Sequence, residues 1–186
     1  MENAPHRVCP VEHAGGLDNR FRRWLHHPAT LLAPYVSAGM TVLDVGCGPG
    51  FFTLELARLV GPTGQVIAAD VQEGMLQLIR AKVDGSELAT RITLHRCGPK
   101  RLGVTTPVDF ALAFYMLHEV PDQAALFTEL AAVLTPQGRL LIVEPPFHVT
   151  KSAFSATLAR AHDAGLTPVG TAKVALGYAV VLGKSG

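Results

Sequence analysis

Val42-Leu-Asp-Val-Gly-Cys-Gly-Pro-Gly-Phe-Phe-Thr53 decides how this chain is read. Val42 to Val45 is a short apolar run broken by one carboxylate, Asp44, and it runs into Gly46-Cys47-Gly48-Pro49-Gly50. From there Phe52, Leu56, Leu59 and Val60 recur at helical spacing. A buried strand therefore feeds a glycine turn, and the turn opens a helix. Gly46 and Gly48 let the backbone turn tightly and let a ligand lie against bare main chain. The helix beyond supplies N–H groups that its first turn leaves unpaired.

A dinucleotide loop would read G-x-G-x-x-G and hold a pyrophosphate at that helix end. The spacing here is G-x-G-x-G, with Asp44 two residues before Gly46. A carboxylate at that point repels a phosphate and suits an amine. The loop thus predicts an amino-acid-like ligand, and the amine, carboxylate and sulfonium of S-adenosylmethionine fit it. Asp70 closes the next strand, Gln65 to Ala69, where an acid accepts hydrogen bonds from both hydroxyls of a ribose. Met75, one turn into the following helix, is placed to cover an adenine face. Cys47, Gly50, Phe52 and Val71 complete the expected cofactor contacts in this part of the chain.

Working outward, strands and helices alternate. Strands are expected at Arg91–His95, Val108–Phe114 and Arg139–Val143. Helices are expected over Ala29–Val36, around Met75–Val83, over Pro121–Leu134 and over Ser152–Ala164. Pro121 would sit near a helix's first turn, and Pro136-Gln-Gly138 would be a turn. Such alternation requires a parallel sheet covered by helices on both faces, a doubly wound α/β fold. Two closing strands, near Pro168–Ala172 and Gly177–Leu182, are too close together for a helical crossover and should form an antiparallel hairpin.

The chain has 186 residues, enough for one domain. Residues 1–16 read as a flexible segment and 17–186 as a single domain. A leading amphipathic helix over 17–27 would carry Leu17, Phe21, Trp24 and Leu25 on one face. Hydrophobic residues make up 48 %, which supports a core and excludes wholesale disorder. Sixteen Lys and Arg against fifteen Asp and Glu leave no basic stripe of the kind a nucleic-acid binder needs. No run approaches the roughly 20 apolar residues of a membrane helix, and the N-terminus reads as neither signal nor transit peptide. Cys9, Cys47 and Cys97 are too few and too scattered for a disulfide framework and suggest a reducing, cytoplasmic setting. Cys9 and His13 form C-x-x-x-H, but two ligands do not make a zinc site, so no metal is expected. An oligomer is neither required nor excluded.

With the loop and its two acids in view, the chain resembles the class I S-adenosylmethionine-dependent methyltransferases. It is most similar to the small, single-domain kind that includes the ubiquinone and menaquinone C-methyltransferases. Leu43-Asp-Val-Gly-Cys-Gly-Pro-Gly50 carries that resemblance, with Asp70 in the place of the family's ribose-binding acid. Phe110-Ala-Leu-Ala-Phe-Tyr-Met-Leu-His-Glu-Val-Pro-Asp122 and Leu134-Thr-Pro-Gln-Gly-Arg-Leu-Leu-Ile-Val-Glu144 extend it. The resemblance implies a Rossmann-like seven-stranded sheet of order 3-2-1-4-5-7-6 with the last strand antiparallel. It also implies S-adenosylmethionine as cofactor. One departure stands out. Where the family carries an acid for the adenine amino group, this chain has Arg96-Cys97-Gly98-Pro99, so backbone groups or Cys97 and Gly98 would have to serve.

Methyl transfer needs the acceptor positioned and water excluded, with a base only where the acceptor carries a proton. The edge at which such folds bind ligands presents Phe51, Phe52, Phe114, Tyr115, His118 and Glu144. His118 is the candidate base or orienting group, since an unperturbed imidazole titrates at about 6.5. Tyr115 is a candidate acceptor contact, and Phe114 or Tyr115 a cation–π partner for a sulfonium. The expected partner is a small-molecule acceptor. Two other readings compete: a nicotinamide-dependent oxidoreductase, and a non-catalytic cofactor-binding protein on the same fold.

Overall fold

A computed structural model describes residues 27–185. Cys9, His13 and the expected leading helix short of His27 lie outside the described residues. The chain runs through α1 (Pro28–Leu32), β1 (Thr41–Val45), α2 (Thr53–Leu59), β2 (Gln65–Asp70), α3 (Glu73–Val83), β3 (Ile92–Arg96) and β4 (Val108–Phe114). It continues through α4 (Gln123–Val133), β5 (Leu134–Glu144), α5 (Lys151–Asp163), β6 (Leu166–Gly170) and β7 (Tyr178–Lys184). Short 3-10 turns occupy Glu87–Arg91 and Leu117–Glu119.

The seven strands form one sheet of order β3-β2-β1-β4-β5-β7-β6. β1 to β5 are parallel, and β7 runs antiparallel to both β5 and β6. The doubly wound α/β architecture and its closing hairpin are therefore as expected. β1 and β4 are buried almost throughout because helices cover both faces. Successive side chains point to opposite faces. Leu43, Val45, Ala111, Ala113 and Ile142 pack with Leu126, Phe127 and Leu130 of α4. Val42, Phe110, Leu112 and Val143 pack on the other side with Leu32 of α1 and Leu56 of α2. Each such Leu, Val or Phe is worth roughly 1.5–3 kcal/mol when fully buried, so the strand ends are firm points from which the site loops start.

Several boundaries differ from those the sequence suggests; β6, for example, spans Leu166–Gly170, two residues earlier than expected. α1 stops at Leu32, well short of Val36. Helix α4 begins after Asp122, whose Oδ1 accepts the Ala125 N–H at 2.9 Å, so Pro121 precedes the cap and does not enter the first turn. β5 begins at Leu134, directly after α4, because buried Leu134 joins the ladder opposite Val108. The ladder then slips so that Phe110 faces Arg139, and Pro136-Gln-Gly138 is excess length within an irregular strand. Among the described residues, no helix is long and apolar enough to cross a membrane.

Candidate active site

The strand order reverses direction between β1 and β4, and a ligand crevice is expected beyond the C-terminal strand ends at that point. A cavity of about 1130 Å³ opens there. Asp44 and the glycine loop line it from β1 and beyond, Asp70 from β2, Cys97 and Gly98 from beyond β3, Phe114 from the end of β4, and Tyr115 and His118 from the segment after it. Phe52, Val71 and Met75 also line it. Of the candidate site residues, only Gly50 lies off this wall: it packs behind the loop, against Ile79 and Leu54.

Asp44 is 3 % exposed. Its Oδ2 accepts a hydrogen bond from the Thr53 hydroxyl at 2.6 Å. Burial pushes its carboxyl up to about 7; the Thr53 hydroxyl opposes the rise and the Asp70 charge adds to it. Asp70 is 7 % exposed and braces the loop it faces. Its Oδ2 accepts the Gly48 N–H at 2.9 Å and its Oδ1 the Gln72 N–H at 2.8 Å. Burial raises the Asp70 carboxyl too, against the pull of those backbone donors. Gly48 has φ +52, and a Cβ built there would meet nothing within 4 Å, so the loop offers bare backbone to open space.

Cys47 and Cys97 are free thiols. Burial and nearby acids raise both, Cys97 to about 12, so they stand as neutral, weakly polar wall. No carboxylate follows β3 directly. Glu129 of α4 approaches from across the cavity instead, and its carboxylate accepts the Leu102 and Gly103 N–H groups at 3.2 and 2.8 Å. It thereby holds the 97–103 loop in place.

The far side of the cavity is aromatic. Phe52 and Phe114 lie 4.5 Å apart between ring centroids, and Phe114 and Tyr115 4.4 Å. Phe147 meets Tyr115 and His148 edge-on, and His148 stacks parallel on His118 at 5.6 Å. Tyr115 adopts φ +58 and its hydroxyl donates to the Leu176 carbonyl at 2.5 Å. Phe147 is 67 % exposed and Leu176 58 %, which places apolar surface at the mouth. His118 Nδ1 lies 2.9 Å from Glu144 Oε2. That contact raises the His118 pKa above the usual imidazole value, partial burial opposes it, and the Glu144 and Glu119 charges add to it.

Several of these residues give no signal in the sequence. Thr53 ends the glycine motif but looks like an ordinary first-turn residue. Glu129 lies inside an apolar helix, and Phe147 and His148 lie in a loop without periodicity. Only the fold brings Glu129, Phe147 and His148 to the cavity and sets Thr53 against Asp44.

The family described as "Methyltransferase domain" matches residues 36–167, and the chain belongs to it. A demethylmenaquinone methyltransferase of Lactobacillus johnsonii is 36 % identical over 110 residues, covering 59 % of this chain and 45 % of that protein. A ubiquinone/menaquinone biosynthesis C-methyltransferase of Cellvibrio japonicus is 32 % identical over 132 residues, covering 70 % and 51 %. The chain spans about half the length of these relatives. A solved S-adenosylmethionine-dependent methyltransferase from Aquifex aeolicus superposes with a TM-score of 0.82 at 27 % identity, covering 94 % of this chain and 98 % of that one.

Proposed function

We propose that this protein is an S-adenosylmethionine-dependent methyltransferase acting on a small-molecule acceptor. The observation that carries the reading is the floor of the cavity: an open glycine backbone braced by Asp70, with buried Asp44 behind it. These residues fit the cofactor. Both Asp70 oxygens already accept backbone N–H groups, but a carboxylate has about four lone-pair sites, so capacity remains for a ribose hydroxyl. Asp44 offers a carboxylate to an ammonium group. Val71 and Met75 line the same wall, suited to a flat base, and the Cys97-Gly98 backbone takes the place of the missing acid. The cavity exceeds the roughly 300–1,000 Å³ of ordinary small-ligand sites, which leaves room for an acceptor beside the cofactor.

The cofactor supplies a methyl carbon already activated by a positively charged sulfur. The chain's own work is positioning. Phe52, Phe114 and Tyr115 line an apolar passage from loop to mouth that excludes water and favours a cation by its ring faces. His118 stands at the acceptor end as the candidate base. The relatives named for demethylmenaquinone and for ubiquinone and menaquinone biosynthesis support a small acceptor with a planar ring, and the aromatic mouth suits one.

Calorimetric titration with S-adenosylmethionine and then S-adenosylhomocysteine tests the reading. Micromolar binding of both is expected, weakened at least tenfold in Asp70→Asn. No heat with either ligand would overturn it.

A further inference from the structure

Glu144 is 1 % exposed, yet three donors converge on it. Its Oε1 accepts the Leu117 N–H at 3.1 Å, and its Oε2 accepts the His118 N–H at 3.2 Å while lying 2.9 Å from His118 Nδ1. An ionised carboxylate only accepts, so the third contact is a donation from Nδ1. A neutral imidazole with its proton on Nδ1 carries its lone pair on Nε2. The same carboxylate therefore holds the backbone of the Leu117–Glu119 turn and the ring that projects from it. Stacking on His148, with an interplanar angle of 8°, fixes the ring from one face. His118 lines the cavity with its side chain 24 % exposed.

We infer that Glu144 is a positioning residue that sets the tautomer of His118, and that His118 Nε2 removes a proton from the acceptor. The inference rests on the methyl-transfer reading and narrows it to acceptors whose reacting group carries an ionisable proton. Thioethers and tertiary amines fall outside that class. In the step, the acceptor's X–H bond breaks and leaves its electron pair on X, while the proton goes to Nε2. The pair on X forms the bond to the methyl carbon, and sulfur keeps the electrons of the C–S bond that breaks. The imidazolium so formed faces Glu144 at 2.9 Å and Glu119, whose Oε1 is 4.0 Å from Nε2; His148 is the other titratable group against it. Both carboxylates stabilise the new charge.

Two measurements on the full chain test this. Nitrogen NMR of histidine-labelled, ligand-free protein at high pH should show His118 protonated on Nδ1 and bare on Nε2. Glu144→Gln keeps an acceptor but removes the charge, and should lower the His118 titration midpoint. The second measurement follows methyl transfer to a series of ring-substituted phenols of graded acidity. For phenols neutral at the assay pH, Glu144→Gln and His118→Asn should lose roughly 100-fold in kcat. For phenols already ionised they should lose little, with cofactor affinity unchanged throughout. A bare Nδ1 in the wild type, an equal loss across the series, or no turnover of any phenol by protein that binds the cofactor overturns the inference. The NMR result does not depend on turnover. A protein with the expected tautomer that binds no S-adenosylmethionine would refute the methyltransferase reading instead.

Discussion

Replacing Asp44 by Asn should make the ligand-free protein more stable at neutral and alkaline pH while weakening its hold on the cofactor. Burial pushes the Asp44 carboxyl from 3.8 up to about 7, in spite of the Thr53 hydroxyl. Below about pH 4 the group is protonated in folded and unfolded chains alike and contributes no pH-dependent term. Between 4 and 7 the unfolded chain ionises while the folded one keeps its proton, so stability falls as pH rises. Above 7 both forms are ionised and the full cost remains. A shift of about 3 units at roughly 1.4 kcal/mol each amounts to about 4 kcal/mol. Asn does not titrate and still accepts from Thr53. The stability difference between Asp44→Asn and wild type should therefore grow by about 4 kcal/mol from pH 4 to pH 8, chiefly between 4 and 7. Urea unfolding of both proteins across that range measures it, and subtraction removes the other titrating groups. Parallel curves, with a difference constant to about 0.5 kcal/mol, would refute the reasoning, because Asp44 would then titrate alike in both states. Cofactor affinity should respond in the opposite sense. An ammonium group favours the carboxylate, so wild-type affinity should fall up to tenfold per unit as pH drops below about 7, and Asp44→Asn should flatten that profile.

Thr53→Val removes a side-chain hydroxyl that steadies the Asp44 carboxylate, so the Asp44 titration should move further up. S-adenosylmethionine affinity at neutral pH should fall roughly tenfold, given about 1–3 kcal/mol for a hydrogen bond to a charged group; calorimetry checks this. Gly50→Ala forces a Cβ to 2.8 Å from Ile79 Cγ1 and 2.9 Å from Leu54 Cδ1, at φ +89. Overpacking and the left-handed backbone together should cost about 2–4 kcal/mol, read as a lower melting temperature. Tyr115→Phe releases the Leu176 carbonyl to water. Global stability should change by less than about 1 kcal/mol, while amide exchange across 171–177 speeds up and acceptor KM rises with cofactor affinity unaltered.

The fold was legible because its signals are local. Gly46 and Gly48 fall between an apolar run and a helical one, and that pattern alone places β1, the loop and α2. Asp44 and Asp70 could be placed for the same reason: each sits at a countable position near a strand end. What escaped the sequence arises from contacts between distant segments. His118 and Glu144 are 26 residues apart, and no spacing rule links them until β4 and β5 pair in register. Glu129 reaches the 97–103 loop only because α4 packs over the strand ends, and its place within an apolar helix gives no hint of that contact. The start of β5 is hidden from the sequence for a related reason. Pro136-Gln-Gly138 has turn chemistry, yet the buried Leu134 before it has already joined the sheet.

The reversal of strand order between β1 and β4 has a consequence for how this protein can diversify. The glycine loop and the two acids suited to the methyl donor hang from β1 and β2, with Phe114 at the end of β4, whereas Phe147, His148 and Leu176 hang from the β5 and β7 side. The two sets meet over the cavity but share no loop. Segments 145–149 and 171–177 can therefore be rewritten, by selection or by an engineer, to admit a different acceptor without altering the donor cradle. Grafting those two stretches between relatives would move specificity as a cassette.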